Sequence, residues 1–196
     1  MSNIARLRSF VADFTRLADR AGGVESTLIE GGKPLLRELI RADDWLPPAF
    51  ATAHPSRYQQ YLLHCDPLER FSVVSFVWGG GQSTPIHNHT VWGLIGVLRG
   101  AETGARYELG APGTPPRRLG DQRLESGDIE AVSPTLGDVH RVSNALSDRV
   151  SISIHIYGAN IGAVRRRTFD EKDGAAREFV SGYSSDVTPN VWSRPS

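Results

Sequence analysis

Residues 81–89 read Gly-Gln-Ser-Thr-Pro-Ile-His-Asn-His, and this short stretch carries most of the information about the fold. Its two histidines, His87 and His89, lie two positions apart, and on a β-strand that spacing points both imidazoles to one face. Further along the chain, His140 and His155 are additional candidate ligands. Three neutral imidazoles suit a divalent first-row metal ion and leave coordination positions open. Two surface histidines in a loop would give the same pattern, so the pair alone leaves both interpretations open.

The segments on either side of this stretch predict short strands rather than helices. They are rich in β-branched and aromatic residues, are separated by glycine and proline, and comprise residues 71–78, 91–98, 106–109 and 150–157. Residues 110–116 form a loop by composition, and residues 125–128 form a turn. No helical pattern of useful length lies between these strands, which disfavours parallel crossover units. We therefore expect an antiparallel sandwich or barrel.

The first part of the chain has the spacing of amphipathic helices. Within residues 2–20, apolar side chains recur at intervals of three and four, and Ser2 is available as an N-cap. A second helix is predicted from Pro34, which a first turn tolerates, to Ile40, with the Pro47-Pro48 pair stopping it. The sequence thus predicts a mainly-β domain with an N-terminal helical segment.

Composition excludes several classes of function. The 196 residues include 22 basic and 22 acidic side chains, so the formal net charge is zero and nucleic acid is not an expected partner. No run of about 18 apolar residues exists for a membrane span, and no basic region followed by an apolar stretch opens the chain, so we expect a cytoplasmic protein. The one cysteine, Cys65, cannot form an internal disulfide. The composition is equally consistent with a monomer and with a small homo-oligomer.

The glycines, histidines and proline around the first stretch resemble the two motifs of the cupin superfamily of small β-barrels. The first motif is matched by Gly81, His87, His89 and Gly100, and the second by Gly127, Pro134, Gly137, His140 and Asn144, with about one extra residue in each of two gaps. In that superfamily the three motif histidines bind a metal ion. The resemblance therefore implies a jelly-roll barrel in which His87, His89 and His140 are the metal ligands.

One departure from the cupin pattern points to a subfamily. The glutamate ligand usual in cupins is expected four or five residues after His89, where this chain has Gly93-Leu94. A three-histidine cupin without that glutamate resembles the thiol dioxygenases, Fe(II) enzymes that use O2 to convert a small thiol into a sulfinate. Residues 151–157 strengthen the resemblance, because Ser153, His155 and Tyr157 match the catalytic Ser-His-Tyr relay of that family, and alternation places all three on one face. A solvent-facing strand edge is the alternative for these polar residues.

The residues that bind the substrate carboxylate differ between subgroups of this family. Mammalian-like cysteine dioxygenases use an arginine on the strand before the first motif, where this sequence has Gln60. It thus resembles the bacterial glutamine-type group, which prefers 3-mercaptopropionate and uses an arginine downstream of the relay tyrosine. Within residues 165–167, all arginine, the spacing favours Arg166, although a solvated charged turn also fits a triplet. The cysteine that cross-links to the tyrosine in mammalian enzymes is replaced by Gly93, so no thioether is expected.

We therefore predict a single cupin domain over residues 1–196, with a helical segment at 1–50, a metal-binding barrel at 58–169 and a C-terminal extension at 170–196. The expected activity is Fe(II)-dependent dioxygenation of 3-mercaptopropionate, with O2 and the thiol as partners. Alternatives are an L-cysteine dioxygenase and a non-enzymatic metal-binding cupin. Other cupin enzymes, such as sugar isomerases, would normally retain a fourth carboxylate ligand.

Overall fold

The computed structural model of the chain describes residues 3–193. It contains two helices, α1 (Ala5–Ala21) and α2 (Glu25–Ile40), and a 3-10 turn at Pro48–Phe50. The strands that follow are β1 (Gln59–Cys65), β2 (Ser72–Trp78), β3 (Ile86–His87), β4 (Gly93–Arg99), β5 (Ala101–Glu108), β6 (Arg117–Glu125), β7 (Ile129–Val132), β8 (His140–Asn144), β9 (Ser151–Tyr157), β10 (Arg166–Phe169) and β11 (Ala176–Phe179). The predicted cap Ser2 and the chain ends of the predicted domain lie outside the described residues.

The strands form two antiparallel sheets, and the predicted fold class is confirmed. One sheet has the order β1-β2-β9-β4-β7, and the other has the order β11-β10-β3-β8-β5-β6. Consecutive strands often belong to different sheets, as in a jelly roll, and each described pairing is antiparallel. The inner faces of the two sheets enclose the interior of a small cupin-type barrel.

The five-stranded sheet is buried on both faces. On strand β9, the outward isoleucines Ile152, Ile154 and Ile156 belong to the same apolar cluster as the residues of α1 and α2. The alternate positions, which include Tyr157, face the barrel interior with Val74 and Phe76 of β2. The N-terminal helices therefore cover the outside of this sheet, so a polar inner face can line a cavity without exposing the outer face to water.

Helix α2 begins nine residues before the predicted start at Pro34, which correspondingly lies inside the helix rather than in its first turn. The missing N–H of this proline removes one hydrogen bond from the interior of the helix. A Cβ on Gly32 would lie 2.7 Å from Leu94 Cδ1, and one on Gly31 would lie 2.7 Å from Leu17 Cδ1. The two glycines let the helix approach the sheet and α1 closely, which a local sequence pattern does not reveal.

The six-stranded sheet extends beyond residue 169, where the predicted barrel ends. Strand β11 pairs with β10 along its whole length, with Arg166 opposite Phe179 and Phe169 opposite Ala176. Part of the predicted C-terminal extension is thus an edge strand beside the cavity. Neither helix of the described chain is long and apolar enough to cross a lipid bilayer.

Candidate active site

A cavity of about 290 Å³ lies inside the barrel between the two sheets. Its volume suits a small molecule of a few heavy atoms. Most of its wall is apolar or aromatic, with Tyr58, Phe76 and Trp78 on one side. The polar groups of the wall include those singled out in the sequence, namely Gln60, His87, His89, His140, His155, Tyr157 and Arg166, together with Thr84 and Thr168.

Three histidines meet at the wall of this cavity. His87 on β3 pairs directly with His140 at the start of β8, and His89 follows β3 after one residue. All three side chains are buried, and their candidate ligand nitrogens lie within 4.8 Å of one another. Nε2 of His140 is a buried polar atom with no hydrogen-bond partner in the described part of the chain. A metal ion bound by the three nitrogens would satisfy it.

Two of these imidazoles are fixed by hydrogen bonds on the side away from the cluster. Nδ1 of His87 donates to the carbonyl oxygen of Pro85 over 3.1 Å, and Nδ1 of His89 donates to Oδ1 of Asp138 over 3.1 Å. Asp138 also accepts from the backbone N–H groups of His89 and Thr90, and Thr90 has a φ of +62°. Because Nδ1 is the donor in both rings, Nε2 carries the lone pair that a metal needs.

Burial keeps the imidazoles neutral. It lowers the pKa of His87 to about 4 and the pKa of His155 to about 3. It also lowers the pKa of His89 and of His140 well below the ordinary value for histidine. Protons therefore do not compete with a metal ion for these nitrogens near neutral pH.

Strand β9 places a hydrogen-bonded chain beside the cluster. Nδ1 of His155 lies 2.8 Å from the hydroxyl of Tyr157, and Nε2 lies 2.8 Å from Oγ of Ser153. The Tyr157 ring stacks on that of His89 with centroids 5.2 Å apart. Burial raises the pKa of Tyr157, so its hydroxyl keeps its proton at neutral pH.

The position expected to carry a cross-linking cysteine in mammalian enzymes lies directly against this tyrosine. Gly93 on β4 is paired with Tyr157 on β9. A Cβ on Gly93 would lie 2.9 Å from Cδ1 and 3.0 Å from Cε1 of that ring. The glycine thus leaves room for the Tyr157 ring to approach β4 closely.

The three consecutive arginines have different environments. Arg166 is 3% exposed and lines the cavity, and among the described residues it forms no ion pair. Its Nη2 donates to Oγ of Ser181 over 2.6 Å, Nε has no partner, and the guanidinium lies over the Phe179 ring. Arg165 and Arg167, whose side chains are 72% and 57% exposed, both pair with Glu178 outside the cavity.

Gln60 on β1 contacts the segment that follows β11. Its Nε2 donates to Oγ of Ser181 over 3.0 Å and to the carbonyl oxygen of Gly182 over 2.8 Å. Both amide hydrogens are therefore used within the protein. Since Ser181 also accepts from Arg166, this hydroxyl joins the two residues that the sequence suggested for carboxylate recognition.

Asp138 and Ser181 were not predicted as site residues. Asp138 lies two positions before His140, within the second motif, so a search for groups that orient the ligand imidazoles could have found it. Ser181 lies in a polar segment with no recognisable pattern. It lies beside Gln60 and Arg166 because β10 pairs with β11, which the sequence did not reveal.

Comparisons with known proteins found a curated relative and solved structures of partial similarity. No family model matches the sequence. The chain is similar to cysteine dioxygenase type 1 of Danio rerio, with 25% identity over 159 residues, covering 77% of this chain and 70% of the relative.

Solved structures with partial similarity include a conserved barrel domain protein and a protein with a double-stranded β-helix domain. A cupin 2 conserved barrel domain protein from Rhodopseudomonas palustris has a TM-score of 0.45 and 13% identity, covering 62% of this chain and 75% of that chain. A double-stranded β-helix protein from Klebsiella pneumoniae has a TM-score of 0.43 and 20% identity, covering 59% of this chain and 89% of that chain. These similarities carry no information about the activity. The barrel is defined by the strand order of the chain itself.

Fold and site together define a cupin-type barrel with a buried three-histidine cluster suited to a metal ion. Its sequence is similar, at 25% identity, to that of a cysteine dioxygenase.

Proposed function

We propose that the protein is a non-haem Fe(II) thiol dioxygenase that inserts both atoms of O2 into the sulfur of a small thiol carboxylate, with 3-mercaptopropionate favoured. One observation carries the proposal: a single small cavity contains the three-histidine cluster and a buried guanidinium with no acidic partner among the described residues. The reaction needs no further reductant, since the thiol sulfur supplies all the electrons that reduce O2 in forming the sulfinate.

His87, His89 and His140 are the residues that would hold the iron. They offer neutral nitrogen donors. Nε2 of His140 has no hydrogen-bond partner among the described residues, as expected of an atom that coordinates a metal ion. When bound, Fe(II) supplies a positive centre that stabilises the substrate as a thiolate and reacts with O2. Neutral ligands suit that task, because they do not offset the positive charge of the ion. The full charge is then available to attract the anionic substrate.

Arg166 would bind the substrate carboxylate. A buried cation without a counter-ion is costly, and an anionic ligand in the cavity would remove that cost. The unpartnered Nε offers one donor of the forked pair that a carboxylate accepts. Gln60 would act through Ser181, which it shares with Arg166, by holding the guanidinium in place.

The chain from Ser153 to Tyr157 would orient a single donor at the reacting end of the substrate. Tyr157 stays protonated, and its hydroxyl is fixed by His155, which is itself fixed by Ser153. A hydroxyl held in this way donates a hydrogen bond without reorganisation. The apolar wall formed by Phe76 and Trp78 limits the access of water to the same region.

The experiment is a comparison of three thiols with the iron-loaded protein. Sulfinate formation and O2 consumption are measured with 3-mercaptopropionate, with cysteine, and with cysteamine, which has no carboxylate. We expect the highest kcat/KM with 3-mercaptopropionate. Preference for cysteine would indicate an L-cysteine dioxygenase, and absence of O2 consumption with any thiol would indicate a non-enzymatic metal-binding barrel.

The arginines next to the cavity provide matched controls. Losing a charge-assisted pair costs about 1.5–3 kcal/mol, so Arg166→Ala should lower kcat/KM for 3-mercaptopropionate by roughly ten- to more than a hundredfold and have little effect with cysteamine. Arg165→Ala and Arg167→Ala remove exposed partners of Glu178 and should have much milder effects. Equal losses for both thiols in Arg166→Ala would assign the arginine to the fold instead.

A further inference from the structure

The asparagine between the two motif histidines joins the histidine cluster to the strand that carries Arg166. Strand β3 ends at His87, one position before Asn88 and two before His89. The N–H of Asn88 donates to the carbonyl oxygen of Arg167 over 3.1 Å, and the N–H of Arg167 donates to the side-chain Oδ1 of Asn88 over 2.9 Å. The side chain of Asn88 thus takes the place of a main-chain carbonyl group and continues the pairing of β3 with β10 by one residue.

Alternation along β10 places this pair of hydrogen bonds next to the carboxylate-binding position. Thr168 is paired with His87 of β3. Arg166 and Thr168 line the cavity, whereas the side chain of Arg167 between them is 57% exposed. On the β3 side of the strand, the hydrogen bonds of Asn88 are therefore made by the residue that directly follows Arg166.

The other contacts of Arg166 come from the opposite side of β10. Its guanidinium donates to Ser181 and lies over the ring of Phe179, which is also its partner in the pairing of β10 with β11. These contacts orient the guanidinium, but they come from the edge of the sheet. Asn88 holds the strand to the turn of chain that carries two candidate metal ligands, because it lies between them in the sequence.

The proposed substrate is held at both of its ends. Its sulfur is bound at the histidine cluster and its carboxylate at Arg166, so the spacing between the two decides how many carbon atoms fit between sulfur and carboxylate. A thiol with one methylene too few or too many cannot satisfy both ends in a relaxed conformation. A residue that fixes β10 relative to the histidines therefore affects selection by chain length.

We propose that Asn88 is a positioning residue that fixes this spacing and thereby makes the site selective for thiols with two carbon atoms between sulfur and carboxylate. The inference rests on the proposed function for the two ends of the substrate, but it does not depend on the reaction with O2. It predicts a change in the relative affinities of thiols of different length. A purely structural residue would change the affinities for all of them together.

The first test observes the hydrogen bond itself in metal-free protein. Amide hydrogen exchange at Arg167, followed by NMR, reports whether its N–H is hydrogen-bonded. Asn88→Ala should speed this exchange by about two- to tenfold, because the acceptor is lost. Asn88→Asp should restore slow exchange, because a carboxylate oxygen accepts the same hydrogen bond. Unchanged exchange in Asn88→Ala would show that the side chain does not hold β10, and it would overturn the proposal.

The second test measures selectivity by binding, without turnover. Iron-loaded protein is titrated by calorimetry under anaerobic conditions with mercaptoacetate, 3-mercaptopropionate and 4-mercaptobutyrate, and the variants are compared at equal iron content. In the native protein 3-mercaptopropionate should bind roughly ten- to a hundredfold more tightly than the other two thiols, which lose one charge-assisted contact. Asn88→Ala should narrow this preference by about two- to tenfold, whereas Asn88→Asp should keep it.

Two further variants keep the comparison decisive. Arg167→Ala removes an exposed side chain but keeps the main-chain groups that bond to Asn88, so it should retain the native preference. If Asn88→Ala folds poorly, Asn88→Leu provides a side chain of similar size without an acceptor and should show the same narrowing.

The possible outcomes separate this inference from the proposed activity. No length preference in the native protein, or equal weakening for all three thiols when Asn88 loses its acceptor, overturns the role of Asn88 even if sulfinate is formed. A preference that narrows as expected supports that role, and if no thiol then consumes O2, only the proposed dioxygenation fails.

Discussion

Metal-free protein should lose stability steeply as the pH falls from about 6.5 to about 4.5, because four imidazoles are buried in the neutral form. Burial lowers the pKa of His87 to about 4 and of His155 to about 3, and it lowers the pKa of His89 and His140 well below the ordinary value. Histidines of the unfolded chain titrate near 6.5. Below that pH these histidines bind protons in the unfolded state but stay neutral in the native state. Their contribution to the free energy of unfolding is therefore complete above pH 6.5 and is lost as the pH falls.

The magnitude follows from the number of protons. Each proton changes the free energy of unfolding by about 1.4 kcal/mol per pH unit, so four histidines contribute about 5.4 kcal/mol per unit. Glu102 acts in the opposite direction, since its raised pKa of about 8 keeps it protonated in the native state while the unfolded state is ionised. The net slope is about 4 kcal/mol per pH unit. His64 adds to this slope and Glu130 and Asp138 offset it, each with a smaller pKa shift.

The assay is urea-induced unfolding of metal-free protein, followed by tryptophan fluorescence at a series of pH values. His155→Gln should reduce the slope by about 1.4 kcal/mol per pH unit, and Glu102→Gln should increase it by a similar amount. Adding Fe(II) should shift the acid transition to lower pH, because the metal binds only the native state. A slope below about 1.4 kcal/mol per unit between pH 6 and pH 5 would refute the burial of neutral imidazoles.

Three further results are expected. Tyr157→Phe should lower turnover much more than iron content, and equal losses in activity assay and metal analysis would indicate a structural tyrosine. Asp138→Asn should weaken iron binding about 10–100-fold in a chelator competition, because His89 loses the group that orients it, and unchanged affinity would contradict that role. Intact-mass measurement should show no thioether, since Gly93 next to Tyr157 supplies no sulfur, and a loss of two hydrogens would disprove this.

The parts of the fold that were predictable are those in which the local pattern coincides with the tertiary environment. Strand β9 alternates strictly, so its polar face could be assigned before the cavity was known. Strands β2 and β4 were also predictable from their sequence, and their predicted and observed bounds agree within two residues. Strand β6 was not predicted, because nearly all of its residues are exposed and most of them are charged or polar. Its pairing with β5 is set by backbone hydrogen bonds across a loop rather than by an apolar pattern.

The residues of the site also divide into those that local sequence patterns predict and those that they do not. The histidines and the Ser-His-Tyr relay residues lie in regular motifs, whereas Glu102 and Ser181 depend on tertiary placement. An acidic residue on a strand is normally exposed, and only the packing of β5 inside the barrel shows that Glu102 is buried. Ser181 joins Gln60 to Arg166 across more than a hundred residues of chain, a relationship that no local spacing encodes.

The most direct test of the proposed dioxygenation uses oxygen-18 gas. Iron-loaded protein is given 3-mercaptopropionate under labelled O2, and the product is examined by mass spectrometry, with His140→Ala as the control. We expect a sulfinate in which both oxygen atoms carry the label, and no such product from His140→Ala. A product with one labelled oxygen or none, or undiminished labelled product from His140→Ala, would contradict dioxygenation at the three-histidine centre.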